Sequence, residues 1–464
     1  MNILGLLKKT TLQMRKNFTL KNIALAMLLT IPVITNAQEQ PRKFGKIPLI
    51  PNDMGYVRCA TDENERMLQE KNPNRASEAQ FEKWMSQSIT KRKNNKSTQK
   101  SGNAVMIIPV VVHVVYFGSD AIGNNENISF AQVKSQIDVL NEDFRKMAGT
   151  PGDGIGVDTM IQFALAAKNP DGLPTNGVDR IQGTINNYTA ESQLEDLKTF
   201  TIWDPAKYYN IWTVQMGGGE LTGLLGYAQF PDYNLPGLNL PGQTTDELTD
   251  GVVINYKNFG TANVIDNDDF DYPYQYGRTL THETGHFLGL RHIWGDANNC
   301  QGNDYCADTP TQNDKTQGCP IGQEPDSCPQ SGVDMYQNYM DYTNDECMNA
   351  FTEDQVERMV TILENAPRRN SLLTSDVLSS PEVLMLTGTK VYPNPAQNVL
   401  NITVDNGELP DNYSIYNSIG QTIASVKVTG EANLTVNTSA YSNGIYFIKI
   451  DKGNESKTLR FVKN

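Results

Sequence analysis

Three of the chain's four histidines fall within eleven residues, in the run His282-Glu283-Thr284-Gly285-His286-Phe287-Leu288-Gly289-Leu290-Arg291-His292. Few local structures suit that spacing. On a helix, positions i and i+4 share a face, so His282 and His286 turn both imidazoles toward one point. Gly289 lets the backbone leave the helix abruptly, and the turn brings His292 back as a third ligand. Three protein ligands leave one position open, the geometry of a catalytic zinc and not of a closed structural one. Glu283, one residue on from the first ligand, reaches that open position and is expected to act as general base toward a water there. The competing reading is a helix whose histidines merely pack or face solvent. A bare HExxH arises often by chance, but the full HExxHxxGxxH does not. His113, the fourth histidine, lies in an apolar strand pattern and reads as a core or edge residue.

A chain of 464 residues with 38% hydrophobic residues can hold two or three domains. Its net charge of -14 argues against nucleic acid, because phosphate binding needs a basic face. The N-terminus reads as an export signal. Arg15, Lys16 and Lys21 precede an apolar run from Ile23 to Ile34, and Thr35-Asn36-Ala37 offers a cleavage site. A membrane anchor is the alternative, but the run is well short of the roughly 20 residues a spanning helix needs. Export makes disulfides the natural reading of Cys300, Cys306, Cys319, Cys328 and Cys347, which fall in one segment, with Cys59 far upstream. A cysteine zinc site is disfavoured, since no CxxC pair exists.

The expected organisation is a signal peptide over 1–37, a pro-segment and basic linker over 38–103, a catalytic domain over 104–372, a linker over 373–387 and a C-terminal β-sandwich over 388–464. Residues 38–103 are polar and lack a clear apolar period. The basic run Lys91-Arg92-Lys93-Asn94-Asn95-Lys96 reads as an exposed, protease-sensitive linker. Beyond it, Ile107–Tyr116 reads as a buried strand. The S-x-x-Q pair Ser129/Gln132 opens a helix over 130–147, with Val133, Ile137, Leu140 and Phe144 at helical spacing. Further strands are expected at 161–166, 209–214, 226–230 and 252–256. The whole predicts an α+β or α/β lobe. After about residue 372, short alternating strands at 413–416, 422–428, 434–436 and 445–450 predict a small all-β sandwich.

The extended histidine motif resembles that of the metzincin metallopeptidases, in which a methionine turn lies beneath the metal. Asn338-Tyr339-Met340-Asp341-Tyr342 is similar to that turn. The metzincin resemblance implies the α+β form of the lobe, a mixed sheet with backing and active-site helices. By the resemblance, Met340 forms an apolar floor and Tyr342 stands beside the zinc, where its phenol stabilises the oxyanion. Within the clan the chain resembles the pappalysin family, to which ulilysin and mirolysin belong. The resemblance rests on Leu225-Gly226-Tyr227-Ala228-Gln229-Phe230-Pro231, on Gly277-Arg278-Thr279-Leu280-Thr281 before the motif, on Asp308-Thr309-Pro310, and on Cys347 with Phe351-Thr352-Glu353-Asp354-Gln355. It covers about residues 105–370. It implies disulfides Cys300–Cys328 and Cys319–Cys347, with Cys306 left without a counterpart. It implies calcium in the loop after the third histidine, with Asp304, Asp308 and Thr309 as candidates. It also implies cutting before arginine or lysine. Asp345 is the candidate base of that S1′ pocket, the alternative being a solvated surface acid. Family pro-segments are similar to cysteine switches, which makes Cys59 in Arg58-Cys59-Ala60 a candidate latency ligand and the basic run 91–96 a self-activation site.

Residues 388–464 resemble the sorting domain of type IX secretion. The matching pieces are Val391-Tyr392-Pro393-Asn394-Pro395, Tyr416-Asn417-Ser418-Ile419-Gly420-Gln421, Gly444-Ile445-Tyr446-Phe447 and the ending Leu459-Arg460-Phe461-Val462-Lys463-Asn464. The resemblance implies the export machinery as a partner and release or anchoring at the cell surface. A carbohydrate-binding sandwich is the alternative, without an aromatic platform to support it. Together these readings predict an endopeptidase acting on extracellular proteins or peptides. The second hypothesis is an adhesin with a degenerate zinc site, which has no need of Glu283.

Overall fold

The computed structural model describes residues 42–96, 105–378 and 388–464, apart from residues 232–234, 239, 241–245, 267–268, 330, 405–408 and 453–454 within those ranges. The expected signal peptide lies outside the described residues. Among the described residues, no helix is long and apolar enough to cross a membrane.

The first described segment is ordered although its sequence lacks a clear apolar period, and its basic end differs from the expected exposed linker. A short hairpin, β1 (Lys43–Phe44) and β2 (Ile47–Pro48), precedes two helices, α1 (Thr61–Lys71) and α2 (Glu78–Lys96). The basic run does not form a loop. It is the last turns of α2, where Arg92 pairs with Glu357 and Glu364. Helix α2 buries Phe81, Trp84 and Met85 against Phe230, Leu235, Ile362 and Ala366. Its Glu82 forms a buried bidentate pair with Arg358 at 2.8 and 2.9 Å and also accepts from Arg291. The segment therefore folds by borrowing partners from the lobe that follows.

That lobe is built on a six-stranded sheet. β3 (Met106–Phe117) is its long spine, paired in parallel with β4 (Ile161–Leu165) along its first half and β5 (Val178–Gly183) along its second. On its other side lie β6 (Tyr209–Val214), then β8 (Val252–Asn255), both parallel, and at the edge the antiparallel β7 (Gly226–Ala228). A mainly parallel sheet buries both faces, and the strand residues alternate accordingly. Ile108, Val110, Val112 and Val114 enter one core with Tyr209, Ile211, Val252 and Ile254. Val115, Trp212, Val214 and Val253 enter the other, beside Phe44, Leu49 and Met67 of the leading segment.

Helix α3 (Phe130–Phe144) backs the first face, opened by the Ser129 side chain accepting from the Gln132 amide. It stops at Phe144, short of the expected 147, because Lys146 adopts a positive φ of 44°. Helix α4 (Glu191–Thr201) lies on the second face. Helix α5 (Arg278–Phe287) carries the histidine motif and is buried along its whole length. A loop-rich stretch follows, stapled by Cys300–Cys328 and Cys319–Cys347, before α6 (Glu353–Asn365) and α7 (Pro367–Leu372) close the lobe.

The C-terminal part is an antiparallel sandwich. One sheet holds β9 (Lys390–Tyr392), β10 (Val399–Thr403) and β13 (Thr435–Asn437). The other holds β11 (Asn412–Asn417), β12 (Thr422–Lys427), β14 (Gly444–Lys452) and β15 (Glu455–Lys463). Leu400, Ile402 and Val436 meet Ile415, Ile448, Ile450 and Phe461 between the sheets.

Candidate metal centre

Helix α5 sets His282 and His286 one turn apart, and Gly289 then turns the chain with φ +87°. A Cβ there would stand 2.8 Å from Cγ1 of Ile362, so both conformation and space favour glycine. His292 returns with its Nε2 3.1 Å from that of His286, and the Nε2 atoms of His282 and His286 are 3.2 Å apart. Each ring is oriented through its other nitrogen. His282 Nδ1 donates to the Tyr339 carbonyl at 2.7 Å, His286 Nδ1 to the Leu290 carbonyl at 2.8 Å, and His292 Nδ1 to Asp296 at 2.6 Å. Two of these acceptors are carbonyl oxygens, which can only accept. The protons of His282 and His286 therefore sit on Nδ1, and their Nε2 lone pairs converge on one point. Buried lone pairs this close repel unless a cation lies among them. Nitrogens roughly 2.0–2.1 Å from a tetrahedral zinc would stand about 3.3 Å apart, which the observed spacing approaches.

The electrostatics agree with a metal-binding set. Burial, then the neighbouring imidazoles, hold His282 and His286 well below the usual histidine range, in the neutral form a metal requires. Burial works the same way on His292, but the Asp296 carboxylate outweighs it and raises the net value. Trp294 stacks on His292 with ring centroids 4.3 Å apart. Met340 is fully buried beneath the helix, where a Cβ on Gly285 would come within 2.4 Å of its sulfur. Tyr342 stands beside the histidines, its ring 5.0 Å from His292 and 5.6 Å from His282.

The leading segment completes the site. Among the described residues, one group alone brings three or more histidine, cysteine or acidic ligand atoms within 4.8 Å of one another: Cys59, His282, His286 and His292. Cys59 Sγ lies 3.4 Å from Glu283 Oε2, and the Thr61 hydroxyl donates to the same oxygen at 2.7 Å. The other oxygen, Oε1, is buried without a partner. Burial pushes the Glu283 carboxyl up to about 7, against the hydrogen bonds from Thr61 and Cys59. The segment is held to the sheet edge in parallel, Val57 donating to the Gly223 carbonyl and accepting from the Leu225 amide.

Asp345 is fully buried. Its Oδ1 meets Arg58 Nη1 at 3.0 Å, and its Oδ2 accepts from the amides of Tyr276 and Arg278 at 2.9 and 3.2 Å. Asp304 is turned inward, accepting from the Thr309 hydroxyl at 2.7 Å and the Cys306 amide at 3.1 Å, while Asp308 accepts from the Asp354 amide at the start of α6. Cys306 is free and buried. His113 is far from this cluster in role, held between Asp179 and Asn210 beside Trp212. Arg58, Thr61, Tyr274 and Asp296 escape the sequence reading as contributors to the site. Asp296 carries one signal that could have found it, an acidic residue four positions beyond His292.

The lobe and its histidine cluster define a metallopeptidase-type site, and comparison with known proteins narrows the class. The family described as pregnancy-associated plasma protein-A matches residues 193–364. An extracellular metalloprotease of Arthroderma benhamiae is 40% identical over 258 residues, 55% of this chain and 73% of that protein. Another from the same organism is 44% identical over 138 residues, and there the match spans only 45% of the relative's length. Mature mirolysin of Tannerella forsythia, solved in complex with a cleaved peptide, is 40% identical, with 60% of this chain and 99% of that one covered at a TM-score of 0.51. A promirolysin mutant is 38% identical, covering 64% and 94%, also at 0.51. The chain belongs to the pappalysin family of metallopeptidases. Residues 390–464 match a secretion system C-terminal sorting domain, which marks the chain for type IX secretion to the outer surface or extracellular space.

Proposed function

We propose that this protein is a secreted zinc endopeptidase, made latent by its own N-terminal segment, that cuts extracellular proteins or peptides before arginine or lysine. The observation that carries the proposal is the convergence of three oriented histidines beside a buried glutamate. His282, His286 and His292 would hold the zinc. Bound there, zinc supplies Lewis acidity toward a water and the scissile carbonyl. Glu283 takes the proton of the attacking water and delivers it to the leaving amine. The Tyr342 phenol, kept protonated by burial first and nearby negative groups second, donates to the developing oxyanion. Met340 supports the helix from below and takes no part in the chemistry.

Cys59 is the proposed latency switch, occupying the fourth ligand position so that no water can. The basic run at the end of α2 is the proposed self-activation site, between the latency segment and the catalytic domain of 104–372. Asp345 is the proposed base of the S1′ pocket, supported by its buried pairing with a guanidinium. Calcium at Asp304, Asp308 and Thr309 is the proposed structural ion. It is supported by the buried Asp304 carboxyl, which burial pushes up to about 6 and which an added cation would stabilise in its charged form. The sandwich is the proposed contact with the export machinery.

The test is cleavage of peptides with one internal arginine or lysine by the processed protein, with and without a zinc chelator, beside Glu283→Ala. Chelator-sensitive cutting before the basic residue, absent in the variant, is the expected result. Cutting at other residues would remove the role of Asp345. No cutting by zinc-loaded, processed protein would overturn the enzyme reading.

A further inference from the structure

Two arginines of the catalytic lobe converge on one carboxylate that belongs to the leading segment. Glu82 of helix α2 is 6% exposed. Arg358 on α6 meets it with both terminal nitrogens, at 2.8 and 2.9 Å, and Arg291 donates its Nε at 2.7 Å. The walls are aromatic. Arg291 Cζ lies 5.3 Å from the centre of the Phe230 ring, and Arg358 Cζ lies 5.7 Å from that of Tyr305. Arg358 is also held by the Gly289 carbonyl at 3.1 Å, which fixes the aim of its guanidinium. Among the described residues, the one other carboxylate paired with either guanidinium is Glu78, 3.8 Å from Arg291 and again on α2. The lobe's own nearby acids face other partners: Asp296 accepts from His292, and Asp304 from the Thr309 hydroxyl.

These arginines stand next to the metal centre. Arg291 directly precedes His292, and Phe230, two residues past β7, has its ring 5.8 Å from that of His286. A cavity of about 380 Å³ opens there, with Phe230, Arg291 and Asp296 in its lining. When the leading segment leaves by a cut in the basic run, Glu82 leaves with it, and two guanidiniums stand together without their acid. Charges built into a pocket and stripped of their partner make a site for an anion, and a carboxylate fits the fork of a guanidinium. From this geometry we infer that Arg291 and Arg358 form a substrate subsite that takes an acidic side chain, with Arg291 as its specificity-determining residue. The inference rests on the proposed release of the segment and on the proposed role of Asp345 as the base of S1′. The edge strand sets which side of the cut the acid occupies. Val57 bridges to Leu224, the Ala60 amide donates to the Gly226 carbonyl, and the Thr61 hydroxyl accepts from the Ala228 amide. The cleft therefore runs along β7 from the Asp345 end toward Phe230. With S1′ at the first end, the residues before the scissile bond lie toward the second, and the acid belongs a few residues on the N-terminal side of the cut.

The experiment gives the processed, zinc-loaded enzyme peptides with a single arginine after the scissile bond and glutamate, glutamine or lysine at each of the four positions before it. At one of those positions kcat/KM should fall about 10–100-fold from glutamate to glutamine, the scale of hydrogen bonds to a charged group, and further for lysine. Added salt should narrow that ratio. Arg291→Gln should bring the glutamate-to-glutamine ratio within about threefold of one, and Arg291→Lys should keep part of it because the charge remains. Each ratio is taken within one enzyme preparation, so a variant that folds in low yield still reports it. Equal rates for glutamate and glutamine at all four positions, in an enzyme that cuts before arginine, overturn the inference. So does a glutamate preference that survives Arg291→Gln. Cutting that ignores the arginine overturns instead the S1′ reading beneath it, and peptides all left whole overturn the peptidase reading.

Discussion

Thr61 offers the cleanest handle on latency, because its hydroxyl touches the proposed general base without touching the metal ligands. The hydroxyl donates to Glu283 Oε2 at 2.7 Å and accepts from the Ala228 amide at 2.8 Å. Valine has nearly the same shape and neither bond. Losing a hydrogen bond to a carboxylate costs about 1.5–3 kcal/mol, and an amide left unpaired in the closed form adds roughly 1 kcal/mol. Thr61→Val should therefore destabilise the closed form by about 2.5–4 kcal/mol. That corresponds to about a 70- to 1,000-fold increase in the open fraction. The assay is the time course of self-processing by purified full-length protein at a fixed low concentration, with Thr61→Ser as the control that keeps the hydroxyl. Thr61→Val should process faster by a factor within that range, up to the point where cutting itself limits, and Thr61→Ser should stay near wild type. Equal time courses for wild type and Thr61→Val would refute the reasoning, because the closed form would then owe nothing to the grip on Glu283.

Three further outcomes follow from the same geometry. Asp296→Asn weakens the partner that orients His292, so zinc affinity should fall about 10–100-fold in competition with a chromophoric chelator; unchanged affinity would exclude that role. Gly285→Ala places a methyl where the Met340 sulfur lies, and overpacking of this kind should cost about 1–3 kcal/mol in denaturant unfolding, with no loss expected if Met340 can swing aside. Asp341 is fully buried, and burial pushes its carboxyl up to about 6 despite hydrogen bonds from Gln312, Tyr342 and Thr316. A carboxyl raised in the folded state adds stability that is complete below its unfolded value near 4 and is lost as pH rises through 6. The stability of wild type relative to Asp341→Asn should thus fall by about 3 kcal/mol between pH 3 and pH 7, and a constant difference across that range would contradict the assignment.

How much of this was legible in the sequence depends on whether a partner is near in the chain. The sheet strands were visible because a doubly buried parallel sheet needs unbroken apolar runs, as in Ile107–Tyr116. Helix α3 was visible through its cap and its apolar period. Helix α2 was not, although Phe81, Trp84, Met85 and Ile89 sit at helical spacing. Four large apolar positions among nineteen residues look like chance inside a polar stretch. What makes the helix are distant partners, Arg358 and Arg291 for Glu82 and Glu357 for Arg92. The same holds for β5 and α4, whose partly buried patterns carry weak period signals.

The metal centre divides along the same line. The convergence of the three imidazoles was legible because helix pitch makes their positions a matter of counting. Their orientation was not, because two of the three histidines are aimed by main-chain carbonyls, those of Tyr339 and Leu290. A carbonyl has no residue identity, so no substitution pattern at those positions would betray it. What selects those carbonyls is indirect. Gly285 makes room for Met340, and the fit fixes the height of the turn in which the adjoining Tyr339 carbonyl meets His282. Gly289 plays the corresponding part for Leu290, whose carbonyl follows directly from the left-handed turn. The two glycines of the motif thus serve the histidines' unused nitrogens as much as the chain's path. On this account a glycine replacement should loosen zinc and ring orientation together, which a packing defect elsewhere in the helix would not do.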